Sequence, residues 1–327
     1  MNFPRAFLAL TFAILTIFDA PAAAPPGGGT LRDFFAAHGF GGAPLQRRLG
    51  NHLFVTTYIN GRHAGLLIDT GAPLTLIDKE SAHTFGLATK NTNVMTGGVF
   101  GRRWERYAVA KVDSIAMGNC AISNVPVALA DESDMNYYTR LSHVDGLFGA
   151  REMLKFGMVI DCARQELYIS PAGPNAATSQ ALSTFLSGRG FIRVPIRQTG
   201  DGHFDVPGAI NGHPTRLIID TGALTTLLAK EFAIQAGVTP GSFGARRMVA
   251  DAGGRNITIS NGMVKELQIG AFKISNAEVT MAPIDSNVLR SEVSGEKNAG
   301  LLGGEHLALN FAVIDLGGMA LYLRHAD

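Results

Sequence analysis

Two stretches of the chain share one unusual pattern of apolar and polar positions. In LLIDTGAPLTLI, residues 66–77, an apolar run stops abruptly at Asp-Thr-Gly, and a second apolar run follows a few residues later. LIIDTGALTTLL, residues 217–228, repeats that pattern 151 positions further along. The residues before each aspartate are β-formers without alternation, which predicts a strand covered on both faces. An acidic side chain is therefore expected at the end of each of two buried strands.

The two aspartates, Asp69 and Asp220, are the candidate catalytic groups. An ionised carboxylate left at such a place would cost several kcal/mol unless it were hydrogen-bonded or paired. Two carboxylates about 3 Å apart cannot both ionise, so the pKa of one falls and that of the other rises. One can then accept a proton from water while the other donates one to a peptide carbonyl oxygen. Two matched copies therefore indicate peptide hydrolysis.

The duplication extends on both sides of each aspartate. Residues 31–45, LRDFFAAHGFGGAPL, align without a gap on residues 182–196, LSTFLSGRGFIRVPI, and predict a short helix followed by a strand. Asn-Gly between apolar runs is a strong hairpin signal, and it occurs at Asn60-Gly61 and at Asn211-Gly212. Helical periodicity follows each aspartate, over residues 78–87 and 229–238.

A second shared block follows at an offset of 154 residues, over 144–169 and 298–323. Each copy contains two apolar residues and a glycine, Leu147-Phe148-Gly149 in the first and Leu301-Leu302-Gly303 in the second. Small residues here would allow two backbones to approach closely. The Asp-Thr-Gly motif and this apolar-apolar-Gly mark occur in both copies and in the same order, so the whole unit has been duplicated.

The Asp-Thr-Gly-Ala motif and the apolar-apolar-Gly mark together resemble the retropepsin-like aspartic peptidases. The resemblance covers nearly the whole chain after its N-terminal leader. It implies a mainly β, duplicated acid-protease fold with two β-rich lobes and short helices. Many enzymes of this group are homodimers with one aspartate per chain. With both aspartates on one chain, the resemblance implies a single-chain pseudo-dimer, a monomer that needs no cofactor and no metal and takes a peptide or unfolded protein as substrate.

The resemblance also assigns roles to the residues after each aspartate. The threonine hydroxyls are expected to hydrogen-bond across the lobe interface, and the glycines to place backbone N–H groups near the carboxylates. Pepsin-like enzymes have Ser or Thr at the alanine position, where the hydroxyl favours the charged carboxylate. Its absence implies a mildly acidic pH optimum. The expected supporting residues are Thr70, Gly71, Ala72, Thr221, Gly222 and Ala223.

Two glycine-rich segments, 96–107 and 250–262, lie between strand-like runs. In retropepsin-like enzymes, glycine-tipped flaps close over the substrate, so the resemblance favours flaps here. Ordinary surface hairpins are equally compatible with the pattern itself. The candidate flap residues are Gly97, Gly98, Gly101, Trp104, Gly253 and Gly254.

The N-terminus has the anatomy of a signal peptide. Arg5 precedes the apolar stretch Ala6 to Phe18, which is short for a membrane span, and small residues follow at 20–24. Residues 1–23 are therefore expected to be a leader, with cleavage after Ala22 or Ala23 and a periplasmic or secreted mature protein. An uncleaved anchor is the alternative.

The remaining chain divides into a flexible lead-in and two lobes. The boundaries predicted from the repeats are a lead-in at 24–30, a first lobe at 31–170, a linker at 171–181 and a second lobe at 182–327. The linker segment is rich in Pro, Ala, Ser and Asn, which is typical of connecting chain.

Charge and motif content exclude several other classes. A formal net charge of +1 gives no electrostatic argument for nucleic acid or an anionic membrane. The chain has no H-E-x-x-H zinc motif and no G-x-S-x-G elbow. Cys120 and Cys162 are its two cysteines, and either a disulfide in an oxidising compartment or two buried thiols fits the sequence.

Two alternatives to an active monomer remain open at the level of sequence. The same fold could have lost catalysis and kept its cleft as a peptide-binding surface, because a fold alone does not establish activity. Against this, both copies of Asp-Thr-Gly are intact. The lobes could also pair with those of a second molecule and form a true dimer with two sites.

Overall fold

A computed structural model describes residues 29–48, 51–96, 105–130, 144–240, 247–250, 256–284 and 298–326. Within these ranges, none of the helices is both long enough and apolar enough to span a bilayer. The leader and the flexible lead-in up to residue 28 lie outside the described residues.

The first lobe is built from ten described strands and three short helices. Its helices are α1 (Leu31–Ala37), α2 (Lys79–Thr84) and α3 (Ala150–Lys155). Its strands are β1 (Gly41–Arg47), β2 (Leu53–Ile59), β3 (Arg62–Asp69), β4 (Leu76–Asp78), β5 (Lys90–Thr96), β6 (Glu105–Met117), β7 (Cys120–Ala130), β8 (Gly146–Gly149), β9 (Val159–Asp161) and β10 (Glu166–Ile169).

The second lobe repeats this order. Its helices are α4 (Ala176–Ser187), α5 (Lys230–Gln235) and α6 (Gly304–Leu309). Its strands are β11 (Ile192–Pro195), β12 (Arg197–Gln198), β13 (Phe204–Ile210), β14 (His213–Ile219), β15 (Leu227–Ala229), β16 (Thr239–Pro240), β17 (Arg247–Ala250), β18 (Asn256–Ile269), β19 (Phe272–Ala282), β20 (Asn298–Leu302), β21 (Val313–Asp315) and β22 (Ala320–Leu323).

The local signals read from the sequence form the expected elements. Both Asn-Gly pairs have positive φ at both residues, 48° and 77° at Asn60-Gly61 and 50° and 81° at Asn211-Gly212. This is the conformation that a two-residue hairpin turn requires. The helix after each aspartate ends two residues before a glycine with positive φ, Gly86 in the first lobe and Gly237 in the second.

The strand order is the same in both lobes, so the duplication predicted from the sequence is confirmed. The first lobe runs β2-β3-β8-β4-β7-β6 and the second β13-β14-β20-β15-β19-β18. In each lobe, the strand that leads to the aspartate pairs in parallel with the strand of the apolar-apolar-Gly mark, β3 with β8 and β14 with β20. The mainly β, two-lobed fold class is therefore correct.

Six neighbouring strands of a 13-stranded sheet join the lobes, in the order β11-β22-β21-β9-β10-β1, and form the interlobe sheet. At its centre β9 pairs antiparallel with β21, and Ile160 lies opposite Ile314. These two isoleucines are equivalent positions of the repeat, so the pseudo-two-fold axis passes between them. Phe34 of α1 packs on its repeat equivalent, Phe185 of α4, with ring centroids 4.9 Å apart. Apolar contact thus holds the two lobes as one body.

The predicted linker, 171–181, is only partly connecting chain. Helix α4 begins at Ala176, because the side chain of Asn175 accepts hydrogen bonds from Ala177 N at 2.9 Å and Thr178 N at 3.1 Å. Such a cap satisfies N–H groups that the first turn of a helix leaves free. Residues 176–181 therefore belong to a helix that packs on the interlobe sheet.

Both cysteines are free thiols, and both are buried. Burial raises the pKa of the Cys162 thiol to about 12, so that side chain stays protonated at physiological pH. Of the two possibilities that the sequence left open, the structure has the buried thiols.

Candidate active site

Each aspartate lies where a fully buried strand ends. Leu66, Leu67 and Ile68 of β3 have no exposed surface, and Asp69 pairs in parallel register with Gly149 of β8. Asp220 follows β14 directly, and its N–H donates to the carbonyl of Leu302 at 3.0 Å. Both faces of each strand are buried, which is why its sequence is a continuous apolar run. The buried strand also holds in place the aspartate at its end.

The turn after each aspartate directs backbone N–H groups at its carboxylate. Asp69 Oδ1 accepts from Gly71 N at 2.9 Å and from Ala72 N at 3.2 Å. The second lobe repeats the arrangement, and Asp220 Oδ1 accepts from Gly222 N at 2.9 Å and Ala223 N at 3.0 Å. Donors to a carboxylate favour its charged form and lower its pKa.

The two carboxyl groups approach each other across the lobe interface, because each lies against the glycine that follows the other aspartate. Burial raises the pKa of Asp69. Burial and the negative charge of Asp69 hold the pKa of Asp220 well above its usual range. Asp69 is therefore the group that ionises first, and Asp220 keeps its proton to higher pH, the division expected of a carboxylate dyad.

Each glycine of the two motifs lies against the aspartate of the other lobe. A Cβ at Gly71 would come within 2.4 Å of Asp220 Cγ, and one at Gly222 within 2.5 Å of Asp69 Cγ. These separations are far shorter than a van der Waals contact. Glycine is thus required at both places to let the carboxyl groups approach.

The two threonines bind the opposite lobe in a reciprocal pattern. Thr70 Oγ1 donates to the carbonyl of Ile219 at 2.8 Å and accepts from Thr221 N at 3.0 Å. Thr221 Oγ1 donates to the carbonyl of Ile68 at 2.6 Å and accepts from Thr70 N at 3.0 Å. Both side chains are buried. The hydrogen bonds across the interface that the resemblance implies are present.

The segment that begins at each aspartate, residues 69–75 in the first lobe and 220–226 in the second, is the active loop of that lobe. The glycine of each apolar-apolar-Gly mark packs on the active loop of its own lobe. A Cβ at Gly149 would lie 2.3 Å from the carbonyl carbon of Leu74, and one at Gly303 2.3 Å from that of Thr225. The close approach of two backbones predicted from these small residues is confirmed.

A glutamate supports each active loop, a role that the sequence pattern alone did not reveal. Glu152 Oε2 accepts from Thr75 Oγ1 at 2.8 Å, and Glu305 Oε1 accepts from Thr226 N at 2.7 Å. Thr75 and Thr226 are equivalent positions of the repeat, each six residues after its aspartate. In the sequence, this role is indicated only by an acidic residue that follows each apolar-apolar-Gly mark by two or three positions.

A histidine near the dyad was also missed. His52 is buried, and its Nε2 lies 2.9 Å from the carbonyl oxygen of Gly222 in the other lobe. Its repeat equivalent, 151 residues later, is also a histidine, His203. The presence of histidine at the same position of both repeats was the feature of the sequence that could have identified it.

The candidate flap residues Gly97, Gly98, Gly101, Trp104, Gly253 and Gly254 lie outside the described residues. The described strands that flank them pair antiparallel, with Thr96 opposite Glu105 and Ala250 opposite Asn256. In the described part of the chain, no group of three or more His, Cys, Asp or Glu side chains is arranged to hold a metal ion.

Comparison with known proteins agrees with this geometry. The model of a family described as aspartyl protease matches the chain twice, over residues 55–151 and 206–305. No curated protein matches the chain.

Two solved structures are among those similar to this chain. A retropepsin-like aspartic protease from Rickettsia conorii is 19% identical, over 40% of this chain and 89% of that one, with a TM-score of 0.29. Basic 7S globulin from soybean is 11% identical, over 88% of this chain and 95% of that one, with a TM-score of 0.47. With the family match extending over one aspartate and its supporting mark in each half, the chain belongs to the aspartyl protease family and contains two fused repeats of it.

Proposed function

We propose that this protein is an aspartic endopeptidase that hydrolyses peptide bonds with a water molecule activated between Asp69 and Asp220. The observation that carries the proposal is the pair of buried carboxyl groups, one from each lobe, that lie close together and are held by matched backbone donors. The substrate is a peptide or an unfolded protein segment lying between the lobes.

The reaction needs one ionised and one protonated carboxyl group. The ionised group takes a proton from water as the water oxygen attacks the peptide carbonyl carbon, while the protonated group gives its proton to the carbonyl oxygen. The resulting tetrahedral intermediate then collapses: the carboxylate that is now ionised takes a proton from one of its two hydroxyl groups, the C–N bond breaks, and the departing nitrogen takes the proton of the other carboxyl group. The proton count of the dyad is restored at the end of the cycle.

The intact motifs favour this function over a binding protein without catalysis. Both aspartates, both glycines that abut them and both threonines keep the geometry that the chemistry requires. A surface that only bound peptides would not need two buried carboxyl groups to share a proton, because their burial costs stability.

Cleavage of casein between pH 3 and 7 tests the proposal. Wild type is expected to cut, and Asp69→Asn and Asp220→Asn are each expected to lose activity by at least about 1,000-fold. Asp113→Asn is the matched control, because Asp113 is an exposed aspartate on β6 of the same lobe as Asp69. Wild type without activity on casein and on a broad peptide library would favour the binding protein.

A mixture of the two inactive variants distinguishes a single-chain site from a site shared between molecules. We propose a monomer, so the mixture of Asp69→Asn and Asp220→Asn is expected to stay inactive. If lobes paired between molecules, some sites in the mixture would combine two intact aspartates and regain activity. Mass measurement in solution gives the same distinction without a substrate.

We further propose export to the periplasm or the medium, on the strength of the predicted leader at residues 1–23. Expression of the full chain followed by N-terminal sequencing of the exported protein tests this. A mature terminus at residue 23 or 24 is expected, whereas an intact N-terminus in the membrane fraction would contradict the proposal.

A further inference from the structure

We propose that His52 is a positioning residue of the dyad, which acts by holding the peptide group between Gly222 and Ala223 that donates to Asp220. The inference rests on the proposed peptidase function and adds a residue from outside the repeated motif.

The contact has one defined direction. A carbonyl oxygen only accepts, so His52 Nε2, 2.9 Å from the oxygen of Gly222, carries a hydrogen whether the ring is neutral or charged. The same peptide group continues to Ala223 N, which donates to Asp220 Oδ1 at 3.0 Å. Hydrogen bonds in series through one amide polarise each other. His52 therefore strengthens the donation that Asp220 receives.

The ring acts on both carboxyl groups. Gly222 also lies against Asp69, where a Cβ would come within 2.5 Å of Cγ. The charge of His52 lowers the pKa of Asp69, opposing the effect of burial. With His52 only 1% exposed, water screens this effect little.

The arrangement breaks the two-fold symmetry of the site. His203 is the repeat equivalent of His52, but its Nδ1 lies 3.1 Å from Asp201 Oδ1 within its own lobe. That contact contributes to lowering the pKa of Asp201 to about 2. A histidine at the same place in both repeats thus contacts an active loop of the opposite lobe in one case and a surface carboxylate in the other.

Charged groups lie near His52 on the ends of two strands, on the chain before His52 and on helix α6. Asp69 and Asp220 lie at the ends of the two buried strands. On the chain before His52, Arg47 Nη1 donates to the carbonyl of Asn51 at 2.8 Å, and Arg48 lies over the ring of Phe54, 5.2 Å from its centroid. Glu305 lies in the first turn of α6, and α6 begins beside Asn51. The two carboxyl groups of the dyad are the acids linked to His52 through Gly222.

The test compares His52→Leu, which removes the donor, with His52→Gln, which keeps an N–H donor, and with His203→Leu as the matched control. Carboxyl-¹³C aspartate NMR gives the titration of the dyad without a need for substrate. In His52→Leu, the apparent pKa of the first ionisation is expected to rise by about one pH unit. His52→Gln should recover part of that change, and His203→Leu should titrate like wild type.

Activity supplies the second readout. In His52→Leu, kcat is expected to fall about 5- to 30-fold with KM changed less than about twofold, and the acidic limb of the pH profile is expected to move upward. Identical titration and kcat in wild type and His52→Leu would overturn the inference. Loss of kcat without a change in titration would also overturn it, because it would mean a structural role only.

Two further outcomes keep this inference separate from the proposed function. If wild type does not cleave any substrate, the peptidase proposal fails, while the NMR titration still decides the role of His52. If His52→Leu does not fold, wild type and Asp69→Asn decide it, since the charge of His52 acts on Asp69 and coupling between two sites is reciprocal. The ring of His52 must then titrate at lower pH in Asp69→Asn, which removes the nearby negative charge, and an unchanged titration would overturn the inference.

Discussion

Thr70 and Thr221 bind each other's lobes through four hydrogen bonds, although 151 residues separate them in the chain. Each hydroxyl donates to a strand carbonyl and accepts from the N–H of the other threonine. The two active loops are therefore one buried unit, and the distance between the aspartates depends on it.

Replacement of Thr70 by valine keeps the shape of the side chain and removes these hydrogen bonds. The carbonyl of Ile219 and the N–H of Thr221 would lose their partner while buried, so the free energy of unfolding is expected to fall by about 2–4 kcal/mol. Chemical denaturation measures it. Thr56→Val on the exposed face of β2 is the control and should change stability by less than about 0.5 kcal/mol. An equal, small effect of both variants would show that the interface does not depend on the hydroxyl.

Alanine at Gly71 is expected to separate the carboxyl groups. Its Cβ would need the space of Asp220 Cγ, 2.4 Å away, so one loop must move. A displacement near 1 Å of a catalytic group costs about 100-fold in rate, and kcat/KM on a peptide substrate should fall by at least that factor. Gly188→Ala is the control, because its φ is −63° and its nearest neighbour would be 3.5 Å away. Full activity in Gly71→Ala would contradict the position given to the dyad.

The pH optimum is expected to be mildly acidic, because Ala72 and Ala223 bring no hydroxyl to the carboxylates and burial raises the pKa of both aspartates. Ala72→Ser together with Ala223→Ser should add donors, stabilise the charged form and move the acidic limb of the pH-rate profile to lower pH. Ala177→Ser, on the exposed start of α4, is the control. A wild-type profile peaking near pH 2 would refute the expectation.

Glu305 is expected to make the protein less stable as the pH rises. Burial raises its pKa from 4.5 to about 7, and its buried Oε2 has no hydrogen-bond partner. The nearby charge of Glu278 raises it further, while the pKa of His306 is lowered by burial, so that ring is neutral at pH 7 and above. Because the folded state holds the proton more tightly, stability is greatest below about pH 4.5 and is lost as the pH rises through 7.

Glu305→Gln should therefore raise the free energy of unfolding at pH 8, by up to about 3 kcal/mol, and leave it unchanged at pH 4. Glu152→Gln is the matched comparison, because both oxygens of Glu152 are bonded, Oε1 to Arg151 Nε at 2.7 Å and Oε2 to Thr75 Oγ1 at 2.8 Å. It should destabilise the protein by about 1–3 kcal/mol. Denaturation at the two pH values checks both, and a loss of stability in Glu305→Gln at pH 8 would contradict the role given to this carboxyl group.

The sequence by itself determined the repeat, the fold class and the position of both aspartates. These follow from local signals: a continuous apolar run specifies a strand buried on both faces, Asn-Gly specifies a tight hairpin, and a glycine after Asp-Thr leaves room beside the carboxyl group. Each of these signals occurs in two copies, so each copy supports the interpretation of the other.

Only the tertiary structure decided which residues outside the motif support the loops that carry the dyad. His52 and His203 occupy equivalent positions in the repeat, yet His52 hydrogen-bonds the loop of the opposite lobe, whereas His203 Nδ1 lies 3.1 Å from Asp201 Oδ1 in its own lobe. Glu152 and Glu305 likewise support equivalent threonines, but Glu152 also bonds Arg151, whereas Glu305 keeps an unpartnered oxygen. Repeat symmetry fixes the backbone, whereas the partners of a side chain depend on what the other lobe brings near it, and no single segment of sequence contains that information.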